Sequence, residues 1–355
     1  MEKIRIMNFC GTHEYVTVRY GLRHLMPTDL ELVAGPGCPV CITPGFYVDA
    51  LIEASLTGTA TIIVFGDALK LPGTSLRRPR SLYDAKAMGG KIHVAYSFMD
   101  AVKMAAENPG ENFVFFAIGF ETTQPSVTIP LSARKAPLNL KIMSSFRYTP
   151  PVVKYLLDKH RDEVNIHGII APGHVSTIIG SDAWRFIPQD YGVPTVISGF
   201  EPVDLLISIY HIVKMLKSGK PGLVNEYTRA VKPDGSLTAL SSMRRVLKIT
   251  EGYWRGIGIV PESAGELSER YSEWDAVKAL NLKVVPRDDK LPACKCDKVI
   301  LGLAIPLECP LFKKACTPDN PYGPCMVSYE GTCRIWAENL VYLQRDGDDQ
   351  QGSNT

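Results

Sequence analysis

Six of the nine cysteines in this chain fall within residues 294–333, a stretch that also carries five prolines. A segment this short and this rich in turn-forming residues cannot build a hydrophobic core, so something other than packing must hold it. The two candidates are thiolate ligation of a metal or cluster and disulfide bonding. The six residues are Cys294, Cys296, Cys309, Cys316, Cys325 and Cys333.

The spacing of these cysteines narrows the chemistry. A Cys-x-Cys pair is followed by gaps of 12, 6, 8 and 7 residues, which do not form the paired Cys-x-x-Cys pattern of ordinary zinc ribbons. An iron-sulfur cubane needs four thiolates, and six sulfurs supply them with two left over for a redox pair. The residues alone favour iron-sulfur over zinc and zinc over disulfides, but spacing does not say which four would be ligands.

A second cysteine pair lies near the N-terminus. Cys38-Pro-Val-Cys41 follows Gly35-Pro-Gly37 and precedes Thr43-Pro44, which we interpret as a helix N-cap followed by the first helical residue. Helix N-termini favour thiolates, and the two-residue spacing lets both sulfurs bind one metal or close a small disulfide. The alternative is a pair of small buried side chains in a tight turn.

A third group ends the apolar run over residues 4–9. Cys10-Gly-Thr-His13-Glu14 puts a soft ligand, an imidazole and a carboxylate within five residues. Cysteine and histidine suit iron, zinc or copper, and Glu14 is a candidate partner of a ligand or proton carrier. This group would complete a site with Cys38 and Cys41; the alternative is a structural turn.

The sequence predicts that the three cysteine groups are positioned by an α/β fold. Apolar runs that end in glycine or proline turns predict buried strands, and helical patterns such as 48–55 and 102–106 lie between them. With 355 residues and 45% hydrophobic content, the chain is long enough for two or three domains. The predicted strands are 30–34, 61–65, 113–118, 166–171 and 195–197.

An internal echo predicts two related lobes. Residues 33–43 and 169–177 each run from a strand into a Pro-Gly turn, and each is followed by a strand ending at 65–67 or 198–201. Ligands gather at the carboxyl ends of parallel strands, so a cleft between the lobes would be lined by these turns. His174, in the second turn, is the other histidine we retain as a candidate. Coincidence is the alternative, since Pro-Gly turns are common in α/β proteins.

Composition excludes several classes of function. The formal charge of +2 comes from 39 basic and 37 acidic residues that are mixed along the chain, so nucleic acid is not an expected partner. No apolar stretch reaches bilayer length and no secretory signal is evident, so we expect no membrane partner and a cytoplasmic location. Helical patterns recur over 240–249 and 274–280, and 346–355 is polar enough to predict disorder.

Taken together, the motifs resemble the HypD family of hydrogenase maturation factors. The resemblance runs in order from about Met7 to Leu340. It rests on CGTHE (10–14), GPGCPVC (35–41), FGD (65–67), GFETT (119–123), APGHVS (171–176), GFEP (199–202) and the segments that begin at Cys316 and Cys325.

The resemblance implies a scaffold that assembles the iron carrying two cyanides and one carbon monoxide for [NiFe]-hydrogenase. It implies a HypC-type chaperone and a HypE-type cyanide donor as partners, and thiol redox chemistry in place of conventional enzyme turnover. Cys10 matches the cysteine implicated in holding this iron with the chaperone, and Cys38 and Cys41 match the thiol pair of the cleft, so these three form the expected iron site. His13, Glu14, Glu121, His174 and Glu201 would shape the cleft, with Glu121 or Glu201 as proton carriers.

The resemblance also implies a [4Fe-4S] cluster near the C-terminus. By order along the chain, Cys294, Cys309, Cys316 and Cys333 match its ligands, and Cys296 and Cys325 remain as a redox pair. Tyr15 departs from the family, many members of which have a second histidine there. Relatives also tend to have a longer segment before Cys10, so an alternative start is left open.

These inferences predict a domain arrangement. We expect a first α/β lobe over 1–110, with part of 220–290 as a candidate to complete it, and a second lobe over 111–220. A helical connection over 221–290, a small iron-sulfur domain over 291–343 and a disordered tail over 344–355 would follow. Rival functions are a ferredoxin-linked thiol-disulfide reductase and an interaction protein with a structural zinc module.

Overall fold

The computed structural model describes residues 3–340, so the tail expected over 344–355 lies outside the described residues. The strands are β1 (Ile4–Asn8), β2 (Leu30–Ala34), β3 (Thr61–Phe65), β4 (Ile92–Ala95), β5 (Phe113–Gly119), β6 (Leu140–Arg147), β7 (Gly168–Pro172), β8 (Thr195–Ser198), β9 (Leu223–Asn225), β10 (Leu247–Trp254) and β11 (Gly258–Leu267).

Helices alternate with these strands through most of the chain. They are α1 (Gly11–Arg19), α2 (Gly45–Leu56), α3 (Leu82–Ala87), α4 (Phe98–Glu107), α5 (Gln124–Ser132), α6 (Thr149–Lys159), α7 (Arg161–Val164), α8 (Gly173–Ile179), α9 (Phe186–Tyr191), α10 (Pro202–Ser218), α11 (Leu237–Val246), α12 (Ala276–Ala279), α13 (Cys296–Ile300) and α14 (Thr332–Glu338). Within the described residues, no helix is long and apolar enough to cross a membrane.

The strands form two sheets. The first sheet is parallel throughout, in the order β2-β1-β7-β8-β9. The second has the order β10-β11-β6-β5-β3-β4; its β3 to β6 are parallel, and the β10-β11 hairpin adds antiparallel strands at one edge. Every residue of β5, β7 and β8 is buried, as expected of parallel strands covered on both faces.

The α/β class and the five predicted strands are confirmed. The runs at 30–34 and 61–65 form strands with the predicted bounds, two others end one residue later, and the strand predicted at 166–171 begins two residues later and ends one residue later. Helices α2 and α4 contain the helical patterns predicted at 48–55 and 102–106. Apolar periodicity sufficed here because these elements are buried in the core.

Strand pairing does not follow the expected division at residue 110. The first sheet combines β1 and β2 with β7 to β9, whereas β3 and β4 pair in the second sheet with β5 and β6. The echoing strands β2 and β7 flank β1 in one sheet, so the echo does not separate the two lobes. Similar local patterns cannot distinguish pairing partners that lie far apart in sequence.

Three local predictions need correction. Thr43 does not cap α2: its hydroxyl donates to the Pro39 carbonyl, Pro44 is the N-cap residue, and Gly45 begins the helix. The helix expected over 240–249 ends at Val246, because the chain turns there into β10 and pairs with β11. The helix expected over 274–280 is reduced to α12 between a 3-10 turn and a loop.

The cysteine-rich segment packs against the first sheet and α1. Its regular structure is limited to α13, α14 and 3-10 turns at Pro306–Glu308 and Pro324–Met326. The Trp336 indole donates to Glu14 in α1 at 2.7 Å, and the Arg5 guanidinium in β1 donates to the Gly302 carbonyl. The segment therefore lies close to the N-terminal motif group despite its separation of about 300 residues.

Candidate functional site

Cys10, Cys38 and Cys41 meet at the carboxyl edge of the first sheet. The neighbouring parallel strands β1 and β2 end at this edge, and Cys10 is the N-cap residue of α1. The loop after β2 approaches so closely that a Cβ on Gly37 would lie 2.4 Å from the Cys10 nitrogen. All three cysteines line one small cavity, which we call the inner cavity.

Cys38 and Cys41 are joined by a disulfide, and both residues are buried. The sequence had left open whether this pair is a dithiol or a disulfide. The Cys41 backbone N-H donates to the Cys38 sulfur at a distance of 3.2 Å. This N-H would stabilise a Cys38 thiolate after reduction. Because thiolates are the metal ligands, binding of iron by both sulfurs requires the disulfide to be reduced first.

The Cys10 thiol is protonated at neutral pH. Burial, followed by the negative charge of Glu330, raises the pKa of Cys10 to about 11. Such a thiol needs a proton acceptor, or the charge of an incoming cation, before it becomes a thiolate.

Glu330 is a site residue that the sequence reasoning missed. It lines the inner cavity, and a Cβ on Gly11 would lie 2.6 Å from the Glu330 Cβ. Part of the residue is exposed to solvent. Burial of its carboxyl group among its neighbours, followed by the negative charge of Asp67, raises the pKa of Glu330 to about 7. Ser328 joins this pair, since its hydroxyl donates to Asp67 at 3.1 Å and accepts the Glu330 N-H at 3.3 Å. Asp67 belongs to the FGD motif, and Ser328 belongs to the segment that begins at Cys325. Glu330 follows Ser328 by two residues, and this closeness to a motif was the clue available in the sequence.

His13 is completely buried and neutral. Burial lowers its pKa to about 4, and its Nε2 lies 2.9 Å from the Gly199 carbonyl. The ring stacks on Phe200 at 4.8 Å between centroids, and His174 stacks on the same phenylalanine at 3.7 Å. The Nδ1 atom has no hydrogen-bond partner among the described residues. The structure therefore brings His13 and His174 together through Phe200.

Glu14 connects α1 with three other parts of the chain. Its buried carboxylate accepts from Arg23 at 2.8 and 2.9 Å, from the Trp336 indole at 2.7 Å and from the Asn8 amide at 3.2 Å. These contacts join β1, α1, the following 3-10 turn and α14. The geometry suits a residue that holds the site together better than one that moves a proton.

Glu121 and Glu201 are not among the described residues that line the inner cavity. Glu121 is buried and accepts from the Thr149 N-H at 2.7 Å and the Thr149 hydroxyl at 2.8 Å, at the start of α6. Burial raises the pKa of Glu121 to about 7. Glu201 is exposed and forms a capping box with Asp204 at the start of α10.

The C-terminal cysteines converge on one another. The sulfurs of Cys296, Cys325 and Cys333 lie within 4.8 Å of one another, so the proposed redox pair is close in space together with one proposed cluster ligand. The Cys294 thiol hydrogen-bonds with that of Cys296, and hydrogen bonds from Cys296 and then Cys325 lower the pKa of Cys333 to about 6.

Cys316 and Cys309 have different surroundings. Cys316 accepts the backbone N-H groups of Tyr322 and Gly323 at 3.3 and 3.5 Å, which favour a thiolate, but burial outweighs them and raises the pKa of Cys316 to about 11. The Cys309 sulfur instead donates to the Ala293 carbonyl at 3.9 Å. The contacts therefore do not separate four ligands from two redox cysteines, and that division stays a prediction.

This donor set fits a thiolate-bound cluster. Position 323 lies directly beside the sulfurs, because a Cβ there would lie 2.6 Å from the Cys294 sulfur and 2.9 Å from the Cys296 sulfur, and these sulfurs would have to shift to admit it. Clustered cysteine sulfurs with backbone N-H groups directed at them are the donors that iron-sulfur clusters use.

A second cavity connects the two groups of cysteines. Its volume is about 80 Å³, and Cys41, Cys294 and Cys296 all line it. We call it the bridging cavity. Cys41 lines both cavities, whereas Cys38 is found only among the residues of the inner one. Cys41 is thus the residue of the disulfide that shares a cavity with the C-terminal cysteines.

Comparison with known proteins gives matches over almost the whole chain. The HypD model, described as the hydrogenase formation hypA family, matches residues 1–339. The hydrogenase maturation factor HypD2 of Bradyrhizobium diazoefficiens is 38% identical over 93% of this chain and 87% of its own length. A putative hydrogenase expression/formation protein of Methanocaldococcus jannaschii is 39% identical over 95% and 92%. Hydrogenase maturation factor HypD of Escherichia coli is 36% identical over 97% and 91%.

Proposed function

Because the chain belongs to the HypD family of hydrogenase maturation factors, we propose that it is the scaffold on which the Fe(CN)2CO group of [NiFe]-hydrogenase is assembled. A HypC-type chaperone and a HypE-type cyanide donor would be its partners, and the cytoplasm its location. The observation that carries the proposal is the meeting of Cys10, Cys38 and Cys41 at one buried cavity.

Iron is the cargo of this site. Thiolates of Cys10, Cys38 and Cys41 are soft donors that suit Fe(II), and a buried setting favours a neutralised metal-thiolate group over separate charges. Glu330 lines the same cavity and is placed to accept the proton that Cys10 loses when iron binds. The tie from Glu14 to Trp336 would keep α1, and with it Cys10, in register with the segment that carries Glu330.

Loading requires the Cys38-Cys41 disulfide to be opened. A Cys296 thiolate would attack the Cys41 sulfur across the bridging cavity, so that the bond between Cys38 and Cys41 breaks and Cys38 leaves as a thiolate. Attack of Cys325 on Cys296 would then release Cys41. Two electrons pass to the cleft pair, a Cys296-Cys325 disulfide forms, and the two thiol protons end on Cys38 and Cys41 or in solvent.

The C-terminal cysteines would hold a [4Fe-4S] cluster, with Cys294, Cys309, Cys316 and Cys333 as the expected ligands. Such a cluster, when bound, supplies single electrons. The protein's own contribution is to group the sulfurs and to place the Cys296 and Cys325 thiols beside them.

The test is Cys41→Ala in the full chain, purified anaerobically with the chaperone. We expect the cyanide and carbon monoxide infrared bands to disappear, while absorbance near 400 nm and the iron and sulfide content of the C-terminal segment remain. Val40→Ala removes buried volume from the same loop without removing sulfur, and it should keep the bands. Unchanged bands in Cys41→Ala would refute the role. Zinc in place of iron and sulfide would favour the structural zinc module.

A further inference from the structure

A buried ion pair lies beside the cleft disulfide and plays no part in the steps above. The Arg255 Nε atom is 3.4 Å from the Asp289 carboxylate, and the two side chains are 4% and 2% exposed. Buried ion pairs are often no more stabilising than apolar residues of the same size. Stability alone therefore does not explain why this pair lies beside the disulfide.

Arg255 contacts the disulfide loop and the loop after β3. Its backbone N-H donates to the carbonyl of Ile42, the residue that follows Cys41, at 2.8 Å. Its Nη1 donates to the Pro72 carbonyl at 2.7 Å and its Nη2 to the Gly73 carbonyl at 3.3 Å. Arg255 thus links two loops at the edge of the cleft, the disulfide loop through its backbone and the loop after β3 through its side chain.

Asp289 contacts the other end of the short segment that joins Cys41 to α2. Its carboxylate accepts the N-H of Gly45, the first residue of α2, at 2.9 Å. It supplies the cap that Thr43 does not, from a position 244 residues further along the chain. Ile42 and Gly45 are therefore held by the two residues of the ion pair, Ile42 through the Arg255 backbone and Gly45 through the Asp289 carboxylate.

The turn that carries Arg255 also touches the cysteine-rich segment. Gly256 has a positive φ of 78°, and a Cβ there would lie 3.0 Å from the Asp297 Cα in α13, next to Cys296. Arg255, Gly256 and Asp289 all line the bridging cavity together with the cysteines on its two sides. The β10-β11 turn thus borders the same cavity as both groups of cysteines.

We infer that Arg255 and Asp289 form a positioning clamp that holds the Cys41 sulfur at the bridging cavity and thereby sets the rate at which Cys296 attacks it. This inference rests on the exchange step of the proposed function. In that step a bond forms between Cys296 and Cys41, the Cys38-Cys41 bond breaks, and Cys38 takes the electron pair. Attack at a disulfide needs three sulfurs close to a line, so a small displacement of the loop slows it strongly.

The test traps the exchange in the full chain. In Cys325→Ser the resolving thiol is absent, so the Cys41-Cys296 mixed disulfide accumulates. Exchange is started by a jump from pH 5 to pH 8, stopped by alkylation at set times, and measured by mass spectrometry of the linked peptides. We expect Arg255→Lys or Asp289→Asn, added to Cys325→Ser, to lower the rate of linkage at least tenfold. Arg185→Lys, in the exposed pair with Asp182, is the matched control and should leave the rate unchanged.

A second measurement separates positioning from general damage. The midpoint potential of the Cys38-Cys41 pair, measured in glutathione buffers, should not change in Arg255→Lys, since this substitution keeps the positive charge and the Arg255 side chain is not bonded to a sulfur. Circular dichroism reports folding. If Arg255→Lys does not fold, Asp289→Asn serves as the second variant, because its amide oxygen can still accept the Gly45 N-H. Equal linkage rates with and without the clamp would overturn this inference and leave the exchange step standing. Absence of the linkage in Cys325→Ser alone would overturn the exchange step itself.

Discussion

Replacing Gly37 with alanine should separate the loop that carries Cys38 from Cys10. The added Cβ would lie 2.4 Å from the Cys10 nitrogen and 2.6 Å from both the Cys10 Cα and the Phe9 carbonyl carbon. These are backbone atoms, so no side chain can rotate out of the way.

The size of the effect follows from these distances. An ordinary Cβ contact begins near 3.4 Å, so the loop must retreat by about 1 Å, the difference between 3.4 and 2.4 Å. Overpacking of this kind costs about 1–3 kcal/mol of stability. Metal-ligand distances tolerate deviations of only about 0.2 Å. We therefore expect iron affinity to fall at least about tenfold, which corresponds to about 1.4 kcal/mol.

Urea unfolding and titration of the reduced protein with Fe(II) under anaerobic conditions measure the two effects. Gly110→Ala is the matched control, because a Cβ there meets nothing within 4 Å and its φ is not positive. Wild-type stability and iron affinity in Gly37→Ala would refute the argument that contact between the loop and Cys10 creates the site.

Three further predictions follow from buried groups. Ionisation of Glu121 opposes folding because its pKa is raised to about 7, so the contribution of Glu121 to stability is greatest at low pH and falls as pH rises from about 4.5 to 7. Relative to Glu121→Gln, the wild type should lose at most about 3 kcal/mol across that range in urea unfolding, and parallel pH profiles would contradict this. In Gly323→Ala the added methyl group pushes against the Cys294 sulfur and should lower iron and sulfide content by roughly half or more. Wild-type iron and sulfide content would show that the close approach of residue 323 to the sulfurs is not needed. Trp336→Phe removes a donor to Glu14 and should lower the free energy of unfolding in urea by about 1.5–3 kcal/mol. An unchanged free energy of unfolding would show that this hydrogen bond does not stabilise the fold.

The local chemistry of the site was predictable because it lies in compact motifs. Cys10 follows a strand and caps a helix, and Cys38 and Cys41 lie in a turn after the neighbouring strand, as their glycine and proline neighbours indicate. The carboxyl edges of parallel strands bring such turns together. The family resemblance added the expectation that the site formed by the three residues holds iron.

The groups that tune the site were not predictable in this way. Glu330 reaches the inner cavity only because the cysteine-rich segment folds back onto α1, and Asp289 caps α2 from a distant loop. Neither contact leaves a periodicity or a spacing in the sequence. Glu121 and Glu201, which the motifs favoured, instead hydrogen-bond at the first turns of α6 and α10.

The sequence by itself determined five of the eleven strands in the described residues, the helices α2 and α4 and the cysteines that can do chemistry, because buried apolar runs, turn residues and motif spacing are local properties. Tertiary structure alone decided which strands share a sheet, which residue of the Cys38-Cys41 pair shares a cavity with Cys294 and Cys296, and which charged groups surround them. The physical reason is that pairing, burial and electrostatic shifts depend on contacts between residues far apart in the chain. Those contacts form only when the whole core packs.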